Sequence, residues 1–167
     1  MKKIAVGLSG GVDSCTAAYL LREQGYEVMG ITLRLKQGSL ADADIDDARR
    51  IAEALGIELE VLDLREFFKE KIIEPFVGEY LAARTPNPCI ECNGIIKFGA
   101  MLDYAVSKGC NALATGHYAK IEQSGGRFLL KKADSVKDQS YFLYRLTQAQ
   151  LCLLYTSPSP RDRQKSR

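Results

Sequence analysis

The chain has 167 residues, 46% hydrophobic and 26% charged, a composition that fits one globular domain with a core and excludes two full domains or a wholly disordered chain. No apolar run approaches the roughly 20 residues needed to cross a bilayer, and the apolar part of "MKKIAVGLSGG" is too short for a secretion signal, so a cytoplasmic protein with reduced thiols and no membrane partner is expected. The net charge of +2 is carried by the last fifteen residues, which hold four basic groups and one acidic; the first 152 sum to −1 and so have no overall electrostatic footprint for nucleic acid, though a local basic patch remains compatible.

Taken in chain order, "KIAVGL" reads as a strand, followed by helical spacing at Val12, Ala17, Leu20 and Leu21 that ends at Gly25. "EVMGITLRL" is a second strand. "ADADIDDARRIAEALGI" is a helix with an acidic start and one apolar face of Ile45, Ala48, Ile51, Ala52 and Leu55, closed by Gly56. "ELEVLDL" is a third strand. "REFFKEKIIEPFVGEYLAA" is mostly helical, with Pro75 expected to kink or break it. After a proline turn, "IIKFGAMLDYAVSKGC" is helical, and "ALATGHYAKI" is a strand running into a loop. "IEQSGGRFLLKKA" reads as a hairpin around Ser124, Gly125 and Gly126. The alternation predicts an α/β fold, doubly wound and Rossmann-like, with a mostly parallel sheet and helices on both faces. The odd number and uneven spacing of the five cysteines argue against a disulfide framework. From about Leu151 the apolar periodicity stops, so residues 1–150 are expected to form the ordered domain. Residues 151–167, rich in Pro, Arg and Ser and similar to translated adapter sequence, are expected to be a non-native disordered tail.

"GLSGGVDS", Gly7 to Ser14, joins the first strand to the first helix at the carboxyl edge of the predicted sheet, where open α/β folds bind ligands. Gly10 and Gly11 let backbone N–H groups approach an anion, the helix start adds partial positive charge, and Ser9 and Ser14 offer hydroxyls to phosphate. Asp13 would repel phosphate unless it caps the helix or helps to hold Mg²⁺. The loop lacks the Gly-Lys-Ser/Thr ending of a Walker A motif and the spacing of a dinucleotide fingerprint. It matches instead the Ser-Gly-Gly-x-Asp-Ser loop of enzymes that split ATP between the α and β phosphates. The bland alternative is a tight strand-to-helix turn.

"TPNPCIECN" places Cys89 and Cys92 three apart after a Pro-Asn-Pro turn. A structural zinc site lacks two ligands, since His117 is the only histidine. A thioredoxin-type pair would normally open a helix in a different strand–helix pattern. A buried inert pair and a reactive thiol beside a nucleotide remain. The second is preferred, because Cys92 is expected near the start of the following helix, where the dipole, aided by Lys97, would lower its pKa.

The ordered set "GLSGGVDS", "TPNPCIECN", "IKFGAML", "ATGHYAKI" and "KDQSYFLYRLTQ" resembles bacterial tRNA-specific 2-thiouridylases from Met1 to about Gln150. The resemblance implies a fold of the adenine nucleotide α-hydrolase type and sulfur insertion into a tRNA wobble uridine. ATP would adenylate the C2 oxygen of the base, and a persulfide sulfur would then displace AMP. By position, Gly7, Leu8, Ser9, Gly10, Gly11, Val12, Asp13 and Ser14 would bind ATP, with Leu33 and Gly116 around the adenosine. Asn87, Pro88, Cys89, Lys137, Asp138 and Gln139 would meet the tRNA. Cys92 would be the catalytic cysteine, with Cys89 beside it. The implied cofactors are ATP and Mg²⁺, and the implied partners are tRNA and a cysteine desulfurase or sulfur-relay protein that donates persulfide. Other ATP-pyrophosphatases of the amidotransferase type share only the first motif, and a non-catalytic ATP-binding module is the alternative from another class.

The chain departs from the family pattern in four places. Cys89 stands where many members carry an aspartate, and with Cys92 and a distant thiol it raises the possibility of an iron–sulfur cluster. Gly94 stands where a basic residue is usual. The segment after Leu35 is short and lacks the tryptophan and paired cysteines of relatives. The persulfide-carrying cysteine lies in the family's later domains, and Cys152 is no credible substitute, so this chain is expected to bind or adenylate but not to thiolate.

Overall fold

Alternation along the first strand decides the layering. In β1 (Lys3–Gly7), Ile4 and Val6, and Leu8 just beyond, enter one apolar cluster, while Ala5 enters another on the opposite face. The computed structural model describes residues 1–134 and 136–155. The chain continues through α1 (Val12–Glu23), β2 (Glu27–Arg34), α2 (Ser39–Leu55) and β3 (Glu58–Asp63), and later adds β4 (Ala112–Ala114). Ala17, Ala18 and Leu21 of α1 and Ala48 and Ala52 of α2 cover the first face. Val12, expected on the buried face, is instead 63% exposed, and Ser14 takes the buried place. Gly30 in β2 is required by packing: a Cβ there would lie 2.6 Å from Leu8 Cδ1 and 2.9 Å from Leu59 Cδ1.

The second face is covered by one long helical run. Asn87 caps α5 (Pro88–Glu91), which passes without a break into a π-helical segment, Cys92–Met101, and then α6 (Leu102–Ser107). Phe98, Met101, Leu102 and Ala105 of this run pack on Met29, Ile31 and Leu113 of the sheet. The wide turn leaves room at carbonyls along its length, and the Gln150 amide donates to Phe98 O (2.7 Å) and Gly94 O (3.3 Å).

Another helical run, α3 (Arg65–Phe68), a π-helical segment Lys69–Ile73 and α4 (Glu74–Leu81), contains the proline expected to break it. The helix continues. Pro75 lacks the N–H that would reach the Lys71 carbonyl, and the preceding turn widens, with Glu74 N–H donating to Lys69 O.

The sheet is parallel throughout, in the order β3-β2-β1-β4-β7, where β7 is Leu154–Tyr155. The expected doubly wound α/β fold is therefore present. Strands on either side of β1 are reached by crossovers in opposite directions, which opens a crevice above the carboxyl ends of β1 and β4. The expected hairpin forms from β5 (Ala119–Ser124) and β6 (Arg127–Lys132), with Gly125 and Gly126 both at positive φ. Gln148 on α7 (Gln148–Cys152) holds the Phe128 main chain of β6 from both sides. The domain does not end at residue 150: Leu151 is buried, and Leu154 and Tyr155 pair with Leu113 and Ala114. Residues 156–167 of the expected tail lie outside the described residues. Among those described, no helix is long and apolar enough to cross a membrane.

Candidate functional site

The loop after β1 is shaped from within. Gly10 has φ +77, and a Cβ on it would lie 2.9 Å from Asp47 Cβ, so glycine is required both by conformation and by the close approach of α2. The Ser14 hydroxyl, buried at 4% exposure, donates to Gly11 O (2.9 Å) and accepts from Ser9 N–H (3.3 Å). Ser14 therefore holds the loop as well as lining the cleft. Gly11 caps α1 without a side-chain bond, which leaves first-turn amides of a 12-residue helix for a ligand.

Above this loop opens a cleft of about 380 Å³. It is lined by Gly7, Leu8, Ser9, Gly11, Asp13 and Ser14 of the loop and by Leu33 and Gly116, all foreseen as nucleotide contacts. Gly10 and Val12 do not line it. Lys97, Asp44, Thr115 and His117 do, as does Gln139, assigned from sequence to tRNA. Gly116 sits against the start of α1, where a Cβ would meet Asp13 Cβ at 3.0 Å and Ser14 N at 3.1 Å.

Lys97 and His117 are among the groups missed by sequence reasoning, with Asp44 and Thr115. Lys97 was read only as a neighbour of the thiols, but it forms part of the cleft wall, half-buried and with no ion-pair partner among the described residues. His117 was weighed only as a zinc ligand. Its ring meets that of Phe98 at a tilt of 49°, and it shares a 2.7 Å hydrogen bond between Nδ1 and the Thr115 hydroxyl. Burial, with the Lys97 charge adding to it, pushes its pKa down to about 4, so the imidazole is neutral at physiological pH. The motif "ATGHYAKI" carried this residue, but nothing local shows that it faces the cleft.

The cysteines differ from expectation. Capping by Asn87, whose Oδ1 accepts from Cys89 N–H (3.2 Å), and Pro88 at the first position start the helix earlier than expected. Cys89 is thus in the first turn and exposed, while Cys92 lies a turn further on, with its own amide bonded to Pro88 O and Cys89 O. Cys92 gains no helix-start stabilisation. Burial pushes its thiol pKa up, against the lowering effect of Lys97, and Cys89 raises it further. Its alkylation by iodoacetamide in Cys89→Ser protein should therefore show an apparent pKa above that of an ordinary exposed thiol, with the thiolate appearing only at higher pH. Lys97→Met should raise it again. A pH–rate profile centred at or below the ordinary value, about 8.5, would contradict the burial argument. All five cysteines are free thiols.

The residues assigned to tRNA are brought to neighbouring segments. Asn87, Pro88 and Cys89 begin α5, and Lys137, Asp138 and Gln139 precede a short 3₁₀ turn, Ser140–Phe142. An Arg145–Glu91 ion pair and a hydrogen bond from Asn93 Nδ2 to Phe142 O (3.4 Å) tie the two segments together. Asp138 is committed to the loop itself: its carboxylate accepts from Ala133 N–H (2.8 Å) and Ser140 Oγ (2.7 Å), and these bonds hold its pKa below the usual carboxylate range against the opposing effect of burial. It acts here as an organiser of the loop. Gln139 lines the cleft, and its Oε1 accepts from Tyr118 N–H (3.1 Å).

Residues 2–159 match the model of the tRNA methyl transferase HUP domain family. The chain belongs to this family. Curated relatives of this HUP domain include proteins named tRNA-specific 2-thiouridylase MnmA from Clostridioides difficile, 52% identical over 162 residues, and from Clostridium perfringens, 50% identical over 161. In each case 90% of this chain aligns with 45% of the relative, so the chain spans about half the length of the curated relatives it matches. Among solved structures, the U34-tRNA thiolase NcsA from Methanococcus maripaludis, described with its 4Fe–4S cluster, superposes with a TM-score of 0.52 at 29% identity, covering 70% of this chain and 38% of that one. The expected family and fold class hold.

Proposed function

We propose that this chain is the nucleotide-binding part of an ATP-dependent tRNA-uridine 2-sulfurtransferase acting on the wobble base. The observation that carries the reading is the shared cleft, in which the glycine loop, Lys97 of the cysteine-bearing helix and Gln139 of the loop assigned to RNA line one space. The uridine C2 oxygen attacks the α-phosphorus of ATP and pyrophosphate leaves, so that C2 carries an AMP leaving group. The outer sulfur of a donor's persulfide then attacks C2 and AMP departs. The Cys92 thiolate next attacks the carrier sulfur, breaking the S–S bond to leave sulfur on C2 and a disulfide between Cys92 and the carrier. The amides of Gly11 and the first turn of α1 face the phosphates, with Ser9 adding a hydroxyl. Lys97 contributes a positive charge to the cleft wall, and neutral His117 serves as a hydrogen-bonding group rather than an acid.

Asp13 and Asp44 both line the cleft, and two carboxylates together with substrate phosphates are a donor set that fits Mg²⁺. The ion would neutralise phosphate charge as the α–β bond breaks. An iron–sulfur cluster fits less well. Cys89 and Cys92 supply two thiolates, and among the described residues no group of three or more Cys, His, Asp or Glu is placed to hold a metal. On this reading the partners are tRNA and a cysteine desulfurase or sulfur-relay protein, and the setting is the cytoplasm.

Calorimetry tests the reading. Mg-ATP should bind the wild-type chain, more weakly in Asp13→Ala and Gly11→Val, and the Asp13→Ala deficit should grow as Mg²⁺ is raised. Equal affinity in all three proteins, or none in folded wild type, would remove the assignment of the loop.

A further inference from the structure

Tyr118 belongs to neither the cleft lining nor the residues assigned to RNA, yet it touches both. Its side chain is 7% exposed, and a buried phenol needs a hydrogen-bond partner. That partner is Asp13 Oδ1 at 2.7 Å, on the first turn of α1 and 105 positions away in sequence. The main chain of the same residue grips Gln139 twice. Tyr118 N–H donates to Gln139 Oε1 (3.1 Å), and Gln139 N–H donates to Tyr118 O (2.8 Å).

Both ends of this link are stiff. Gly116, two residues before, lies so close to Asp13 and Ser14 that Thr115–Tyr118 cannot slide over α1 independently. On the other side, the Asp138 carboxylate bonds Ala133 N–H and Ser140 Oγ, so the loop around Gln139 moves as a unit. A change at Asp13 therefore has a continuous hydrogen-bonded route to Gln139.

We propose that Tyr118 is a positioning residue that couples occupancy of the nucleotide cleft to the loop carrying Gln139. The inference rests on the nucleotide reading of the cleft. A cation-bound triphosphate fixes the Asp13 carboxylate. The fixed carboxylate holds the Tyr118 hydroxyl, and the Tyr118 main chain then holds Gln139 in place for an unpaired base. Because coupling between binding sites is reciprocal, RNA engaged at Gln139 must raise nucleotide affinity by the same factor.

The test is amide hydrogen exchange at Gln139 in the whole chain, with and without saturating Mg-ATP or a non-hydrolysable analogue, in wild type and Tyr118→Phe. The ring is kept and only the hydroxyl is lost. In wild type, nucleotide should slow exchange at Gln139 severalfold. In Tyr118→Phe, nucleotide should still bind, weakened by less than about tenfold since one hydrogen bond is removed, but the slowing at Gln139 should vanish. A merely structural tyrosine would alter thermal stability and basal exchange while leaving the nucleotide-dependent change intact. Slowing retained in Tyr118→Phe, or unchanged Gln139 exchange in wild type that binds nucleotide normally, would overturn the coupling. Wild type that binds no nucleotide by calorimetry would instead overturn the reading of the cleft, and this inference with it.

Discussion

Gly116→Val is expected to abolish nucleotide binding while the parallel sheet stays folded. A Cβ at this position would stand 3.0 Å from Asp13 Cβ, 3.1 Å from Asp13 C and 3.1 Å from Ser14 N. Two of these three atoms are backbone of the first turn of α1, so the neighbour cannot yield as a flexible side chain would. It can move only by shifting the helix start that presents its amides to the cleft. Gly116 has no positive φ, so the effect is steric rather than conformational. Gly116→Ala, needing a shift of a few tenths of an ångström, should weaken Mg-ATP by about tenfold, equivalent to about 1.4 kcal/mol. The branched side chain should remove measurable binding. Gly78→Ala is the control: it lies in α4 with nothing within 4 Å of the added Cβ, and should leave ATP affinity unchanged and stability slightly raised. Calorimetry with far-UV circular dichroism on the three variants decides it. Gly116→Val binding ATP within twofold of wild type would show that the contact between the loop after β4 and α1 does not shape the site.

Phe98→Ala should be the most destabilising truncation, at about 3–5 kcal/mol by the behaviour of buried aromatic residues. That is a large share of a typical domain stability of about 5–15 kcal/mol. Phe98 is 1% exposed and belongs to the cluster that includes Met29, Met101 and Leu113. Its ring also meets that of His117, with centroids 5.8 Å apart. Its removal would open space beside the imidazole, relieve the burial that keeps it neutral, and move its pKa up from about 4 toward the ordinary value. Urea denaturation gives the stability, and histidine proton shifts followed against pH give the second readout in whatever fraction remains folded. A cost below about 1 kcal/mol would contradict the packing described, since even a modest core truncation exceeds it.

These two positions also mark a limit of legibility. Phe98 lies in a segment read as helical from the sequence, because periodicity is a property of neighbouring residues. Its contact with His117 was not legible there, since the two residues meet only when the helix lies on the sheet. The same division runs through the cysteine segment. "PNPCIEC" contained the capping Asn87 and Pro88 needed to place the helix start, yet the start was expected later. Cys92 was accordingly given a lowered pKa that burial reverses. Leu154–Tyr155, a two-residue strand, is too short for any alternation to show, and the domain boundary was drawn too early for that reason.

By itself the sequence determined the elements whose cause is local. The alternation of Ile4, Val6 and Leu8 with Ala5 sets the two faces of the sheet, paired glycines turn the hairpin, and the glycine loop between a strand and a helix marks a phosphate-type site. Tertiary structure alone decided which distant groups share that site. Lys97, Asp44, His117 and Gln139 converge on the cleft from a helix, a second helix and two loops, and Tyr118 reaches Asp13 across 105 positions. Local spacing carries no record of such meetings, because they depend on strand order and on which face each helix buries. The Cys92 thiol follows the same rule: its neighbours in sequence suggested a lowered pKa, and burial of its helix raises it instead.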